Sequence, residues 1–161
     1  LSRLSRSEMR YDTVDMSACA IEITEDLRQT DPNRKVEFVI SPNISAHGDA
    51  TLLKIALINL LSNAWKFTGN HEHARIEVGV ESIKNDKVYF VRDDGAGFNM
   101  KYVEKLFGVF QRLHGTTEFS GNGIGLATVQ RIIHRHGGQI WAESEVEKGA
   151  IFYFTLPKQN S

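Results

Sequence analysis

The sequence predicts an α+β domain in which about three helices pack on one face of a mixed sheet. Three observations carry this. Short runs of β-branched and aromatic residues, several alternating with polar ones, recur between turn signals. Three other segments place apolar residues at helical spacing instead. The strands also cluster, with two adjacent ones in mid-chain and two at the end, rather than alternating strictly with helices.

In chain order, Leu1 to Arg6 resembles the tail of a helix without a start, which suggests a piece of something longer. Met9 to Asp15 reads as a short strand, and Asp15 or Ser17 as the cap of a helix reaching about Thr30. Asp31-Pro32-Asn33 ends that helix with turn chemistry. Val36 to Ile40 is a strand stopped by Pro42-Asn43. Asp49 is a good N-cap for a helix from Ala50 to about Thr68, whose Leu53, Leu57, Leu60, Ala64 and Phe67 share one face. Arg75 to Val80 and Lys87 to Val91 read as strands joined by an Asn85-Asp86 turn. Met100 to Phe110 begins as a short helix, and Gln111 to Asn122 is polar and without period. Gly123 to His136 is a helix stopped by Gly137-Gly138, and Gln139 to Glu143 and Ala150 to Leu156 close the chain as strands.

Composition narrows the function classes. At 161 residues the chain fits one domain with a proper core. A formal net charge of -1 gives no field for nucleic acid or anionic membrane. No apolar run approaches the ~18 residues needed to span a bilayer, and the start is not a signal peptide. The single cysteine, Cys19, forms no internal disulfide or metal cluster, which suits a reducing compartment. Its helical-face neighbours Met16, Ala20, Ile23 and Leu27 mark it as a core residue.

Three stretches point to chemistry. Asp93-Asp94-Gly95-Ala96-Gly97-Phe98 follows a buried strand, and puts a carboxylate at a sheet edge beside bare backbone. A flat polar ligand can use such an edge; a tight turn has the same composition. Asn59, Asn63 and Lys66 lie at i, i+4 and i+7, a polar line beside the apolar stripe of their helix. Two amides beside a packing face are costly unless paired, and an amide oxygen suits Mg²⁺. Gly121-Asn122-Gly123-Ile124-Gly125-Leu126 opens a helix with bare N–H groups, a natural phosphate site or simply a hinge. It is neither a Rossmann fingerprint nor a Walker loop.

Taken together and in order, these stretches are distinctive. Asn59-Leu-Leu-Ser-Asn63-Ala-Trp-Lys66, Asp93-Asp-Gly95-Ala-Gly97-Phe98, Leu106-Phe107-Gly-Val-Phe110-Gln-Arg112 and Gly121-Asn-Gly123-Ile-Gly125-Leu126 follow one another. They resemble the asparagine, first glycine, phenylalanine and second glycine boxes of sensor histidine kinases. His136-Gly-Gly138-Gln-Ile140-Trp and Gly149 to Pro157 resemble the family's closing segment, and details around Phe110 to Gly115 are similar to phytochrome-like kinases. The resemblance covers about Met9 to Pro157. It implies the Bergerat, or GHKL-type, fold: a two-layer α/β sandwich binding ATP under a lid.

By the same resemblance, residues 1–8 are the stub of a dimerisation helix, 9–158 the catalytic and ATP-binding domain and 159–161 a tail. Asp93 would accept from the adenine amino group, with Gly95 and Gly97 leaving room for the purine and Phe98 beside it. Asp94 would be a bystander. Asn59 would be the Mg²⁺ ligand, and Asn63 and Lys66 would contact phosphates. Thr155 would support Asp93 through water. The lid would run from about Phe107 to Asn122, with Phe110 in it and Gly121, Gly123, Gly125 and Leu126 at its hinge and the phosphates. Arg112 reads equally as a phosphate contact or a solvated arginine.

The resemblance implies a transfer of the ATP γ-phosphate to a histidine. None of the six histidines stands in an acceptor setting: His71-Glu72 lacks the following proline, His134 and His136 belong to the last helix, and His47 has no catalytic setting. The acceptor is therefore expected on a dimerisation domain absent from this chain, with a response regulator receiver domain as the further partner and no nucleic acid. The isolated chain is expected to be monomeric and cytoplasmic, whether its parent is soluble or membrane-anchored. Hydrolytic relatives carry a water-activating glutamate on the asparagine helix; no Glu lies between Ala50 and Gly69, which counts against a GHKL-type ATPase. A nucleotide-free interaction module is the other alternative, and the intact Asp93, Asn59, Asn63 and glycines argue against it.

Overall fold

The computed structural model describes residues 9–69, 71–84, 86–97, 100 and 122–157, with side chains of 122–124 excepted. Seven strands and three helices are present among them: β1 Tyr11–Asp15, α1 Met16–Thr30, β2 Lys35–Ile40, β3 Ser45–Asp49, α2 Ala50–Phe67, β4 His73–Ile83, β5 Asp86–Asp93, α3 Asn122–Arg135, β6 Ile140–Glu145 and β7 Gly149–Thr155. Five strands form one mixed sheet in the order β2-β4-β5-β7-β6, where only β2 and β4 run parallel. β1 and β3 form a separate antiparallel pair.

The faces of the sheet follow from alternation. Ala74, Ile76, Val78, Tyr89, Val91, Phe152 and Phe154 join the core, and their neighbours Arg75, Glu77, Arg92 and Tyr153 fall on the other face. The helices pack on the first. Leu53, Leu57, Leu60 and Leu61 of α2 and Leu126, Val129 and Ile133 of α3 are at most 1 % exposed. Truncating any of these leucines to alanine should cost about 2–5 kcal/mol.

Both helix starts are capped as the sequence suggests. The Asp15 carboxylate accepts from Ala18 N–H at 2.9 Å, and Asp49 accepts from Leu52 N–H at 3.0 Å. β3 is the element that the sequence does not announce: Ser45-Ala-His-Gly-Asp49 has no β-branched residue, and only pairing with β1 extends it. Gly48 in it admits the His136 ring, which a Cβ would meet at 2.8 Å. β4 and β5 also run longer than expected, because the hairpin carries their ladder past the buried residues to Ile83 and Asp86. The expected helix from Met100 lies, apart from its first residue, outside the described residues.

Candidate functional site

The site is built along the seam of α2 and α3 and at the turn after β5, which meets the end of α2. The two helices are antiparallel and held at two levels. Near one end, the Asp49 N–H donates to His136 Nε2 at 3.0 Å, while His136 Nδ1 lies 2.8 Å from the Ile132 carbonyl. Since the carbonyl can only accept, Nδ1 carries the proton and the ring is the neutral acceptor for Asp49. Further along, Gly125 lies against Asn59, whose Oδ1 would stand 2.9 Å from a Cβ added there. The missing side chain is what allows this approach.

Asn59 is half-buried, and its Nδ2 donates to the Ile55 carbonyl at 3.0 Å, which leaves Oδ1 as the outward acceptor. One turn on, Asn63 is 4 % exposed and its buried Nδ2 has no hydrogen-bond partner among the described residues. An unmet buried amide costs about 1–3 kcal/mol unless something supplies an acceptor. Lys66 is exposed at the last turn of the helix. The polar line therefore runs from the level of Gly125 to the C-terminal end of α2.

That end is fixed from two sides. Arg34 donates from Nη1 to the Trp65 carbonyl and from Nη2 to Thr68 Oγ1, both at 2.9 Å, and its guanidinium lies 4.1 Å from the centroid of the Trp65 ring. A partly buried cation at a helix C-terminus offsets the unpaired carbonyls and the macrodipole. Sequence reasoning passed over Arg34, because its partners lie more than thirty residues away. From the other side, Ala96 N–H donates to the Phe67 carbonyl at 2.9 Å. A Cβ at Gly95 would collide with that same carbonyl. The bare backbone at Gly95 thus admits the end of α2, where the sequence reading had reserved the space for a purine.

Asp93 ends β5 and is 4 % exposed. Its Oδ1 accepts from Gly95 N–H at 2.9 Å. Burial pushes its carboxyl up to about 7; the Gly95 N–H pulls it down, the Asp94 charge raises it, and the Ala150 N–H lowers it. No arginine, lysine or histidine among the described residues forms an ion pair with it. The turn after it is closed by the β6–β7 hairpin, with Glu147 N–H donating to the Ala96 carbonyl at 2.6 Å. Gly97, at φ +68°, sits where a Cβ would strike the Glu145 carbonyl.

Two readings need correction. Thr155 does not approach Asp93: it pairs with Val88 at the other end of the β5–β7 ladder, while the residue opposite Asp93 is Ala150. The hydroxyl of Thr155 instead accepts from Gln139 N–H at 3.1 Å. Asp94 is no bystander, since its Oδ1 accepts from Arg75 N–H at 2.9 Å. Leu126 is fully buried in the helix–sheet core. The backbone of Gly123 lies in the first turn of α3. Phe98, Phe107, Phe110, Arg112 and Gly121 lie outside the described residues.

A cavity of about 530 Å³ also opens behind Asp93, on the sheet face away from the helices. Its walls include Arg75, Glu77, Arg92, Glu143, Glu145 and Lys148. The Arg92–Glu77 and Lys148–Glu145 pairs, at 3.0 and 3.4 Å, already satisfy much of that charge. The cavity reads as a solvated charged face, and the asparagine line lies on the other side of the sheet.

Comparison with known proteins agrees with this fold. Residues 48–160 match the family model described as histidine kinase-, DNA gyrase B-, and HSP90-like ATPase. Cyanobacterial phytochrome A of Nostoc sp. is 35% identical over 159 residues, which cover 92% of this chain and 21% of the relative. The adaptive-response sensory kinase SasA of Thermosynechococcus vestitus is 35% identical over 148 residues, covering 89% of this chain and 38% of the relative. The chain thus spans well under half the length of these relatives. The solved catalytic domain of histidine kinase ThkA superposes with a TM-score of 0.75 at 27% identity, over 93% of this chain and 99% of that one.

Proposed function

Since the chain belongs to the histidine kinase-, DNA gyrase B-, and HSP90-like ATPase family and is the ATP-binding catalytic domain of a two-component sensor histidine kinase, we propose that Asp93 binds the adenine amino group while the α2 line, Asn59, Asn63 and Lys66, meets the phosphates. The observation that carries this reading is the burial of Asp93 as a carboxyl with backbone partners and, among the described residues, no counter-ion. A buried acid of that kind destabilises the empty fold, and a ligand donor is the compensation that function supplies. The Nδ2 of Asn63, unmet among the described residues, is a second buried polar atom of the same sort, suited to a phosphate oxygen.

The residues present also fit Mg²⁺. Among the described residues no three His, Cys, Asp or Glu side chains gather to hold a metal by themselves. Mg²⁺ habitually takes few protein ligands and completes its shell with phosphate and water oxygens. Asn59 Oδ1 is the ligand this chain would offer, oriented by the bond from its Nδ2 to Ile55. When bound, the cation would spread the charge of the phosphates. The chain's own part is positioning: Asp93 fixes the base, and Asn63 and Lys66 hold the phosphates.

In the transfer itself, an imidazole nitrogen forms a bond to the γ-phosphorus as the bond to the β–γ bridging oxygen breaks and ADP leaves. The acceptor imidazole belongs to a dimerisation domain outside this chain, which then passes the group to a receiver domain. A cytoplasmic setting suits this supply of ATP, and among the described residues no helix is long and apolar enough to cross a membrane. Titrating the chain with a non-hydrolysable ATP analogue, with and without Mg²⁺, tests the reading. Binding that strengthens with the cation and is lost in Asp93→Asn is expected. Equal affinity in that variant refutes the assignment. With γ-labelled ATP, the chain alone should acquire no acid-labile phosphate.

A further inference from the structure

We propose that Asp94 is a positioning residue for nucleotide binding: its carboxylate replaces the main chain in the last hydrogen bond of the β4–β5 ladder, and so lets the backbone leave the sheet in the turn that presents Asp93. This rests on the reading of Asp93 as the adenine-binding carboxylate.

The ladder between β4 and β5 runs in unbroken antiparallel register up to the pair Ile76 and Asp93. One step further stand Arg75 and Asp94. Between them the Asp94 N–H donates to the Arg75 carbonyl at 3.3 Å, as an antiparallel ladder requires. The return bond differs, because Arg75 N–H donates to Asp94 Oδ1 at 2.9 Å. A side-chain oxygen stands where a main-chain carbonyl would serve in a continuing strand. Asp and Asn commonly substitute for backbone in this way at turns.

The consequence is geometric. Once the Asp94 carbonyl is relieved of pairing with β4, the chain is free to turn within two residues. Gly95 N–H then reaches back to Asp93 Oδ1, and Ala96 crosses to α2 and to the β6–β7 hairpin. The turn is pinned to three neighbours, and at β4 the Asp94 carboxylate forms the shorter of the two bonds to Arg75, beside the Asp94 N–H. Arg75 gives its own guanidinium to Glu37, at 3.8 Å, so the Asp94 link is a hydrogen bond to backbone and not an ion pair between side chains. Asp94 is exposed, so water can replace its oxygen at the Arg75 N–H with little loss of fold stability. What is lost is the fixed placement of Asp93, which appears in affinity.

The test uses Asp94→Ala and Asp94→Asn in this chain, with affinity for a non-hydrolysable ATP analogue at pH 8 and amide exchange at Arg75 as readouts. Asp94→Ala should weaken binding about five- to tenfold, the loss of one hydrogen bond's worth of placement, and speed exchange at Arg75. Asp94→Asn keeps an acceptor, and should restore both to within about twofold. Its pH profile carries a separate signature. Arg75, Glu77, Arg92, Glu143, Glu145 and Lys148 border the same cavity as Asp93 and are unchanged, so loss of the Asp94 charge alone should move the pH midpoint of binding downward. Parental affinity in Asp94→Ala, or equally weak binding in both variants, overturns the proposal. Parental affinity in Asp93→Asn overturns the underlying reading of the site instead, so the two failures are distinguishable.

Discussion

Replacing Asp93 by asparagine should separate the two consequences of burying a carboxyl. In the folded chain its group titrates at about 7, against an ordinary value of 3.8, because burial opposes the charged form. Between those values the native state holds a proton that the unfolded chain has released, so the stability of the parent falls as pH rises from acid towards 7. Integrated between pH 5 and pH 8, this one group removes about 2–3 kcal/mol of unfolding free energy. The amide that replaces the carboxyl is isosteric with it, can still accept from Gly95 N–H through its oxygen, and does not titrate. The assay is urea unfolding of parent and Asp93→Asn across that pH range, taking the difference at each pH so that all other titrations cancel. The variant should gain on the parent by about 2–3 kcal/mol from pH 5 to 8, while losing nucleotide binding throughout. A difference flat with pH to within about 0.5 kcal/mol would refute the claim that the empty site holds a costly buried carboxylate.

The same titration should make ATP-analogue affinity of the parent rise with pH through about 7 and level off above it, as calorimetry in matched buffers can check; pH-independent affinity from pH 5.5 to 8 counts against Asp93 accepting from the base. Gly125→Ala brings a Cβ to within 2.9 Å of Asn59 Oδ1 and should weaken Mg²⁺-dependent binding about tenfold or more while changing stability by under about 1 kcal/mol. Arg34→Met removes the donors to Trp65 and Thr68 and should cost about 1–3 kcal/mol in urea unfolding, with Ala96 amide exchange quickening as the end of α2 loosens. Gly138→Ala drives a Cβ into the Thr155 carbonyl and should destabilise by about 2–4 kcal/mol without altering Mg²⁺ selectivity.

What the sequence disclosed, and what it hid, divides by the range of the interactions concerned. The α2 stripe was legible because Leu53, Leu57, Leu60 and Phe67 repeat at the period of the helix itself, and the Asp49 cap lies three residues from its donor. The candidate site was legible as an ordered set of motifs, each local, and the structure brings Asn59 to Gly125 and the Asp93 turn to the end of α2. β3 was hidden, since Ser45 to Asp49 is extended only by partners in β1. Thr155 was misplaced for a related reason. The closing strand resembles the family's closing segment, but which of its residues faces Asp93 is a matter of register, and that places Ala150 there. Arg34 stands in no motif, and the motifs that contain His136 and Asp94 do not reveal the distant backbone N–H groups, of Asp49 and Arg75, that bond to them.

His136 also helps explain why the glycines come where they do in the sequence. It bonds to Asp49 at one end of the antiparallel pair α2 and α3, and Gly125 meets Asn59 along the same seam. Asn59 stands about 15 Å along α2 from Asp49, and Gly125 about 16 Å back along α3 from His136, at 1.5 Å per residue. The two spans agree closely, so the helices are in step. One further turn of α2 leads to Asn63, in the direction of the N-terminal end of α3, the positive end of its dipole. A phosphate chain reaching from Asn59 past Asn63 towards Lys66 would lie along that end. The latch at His136 fixes the register in which the first turns of α3 meet Asn59, and that close approach requires Gly125 to be bare.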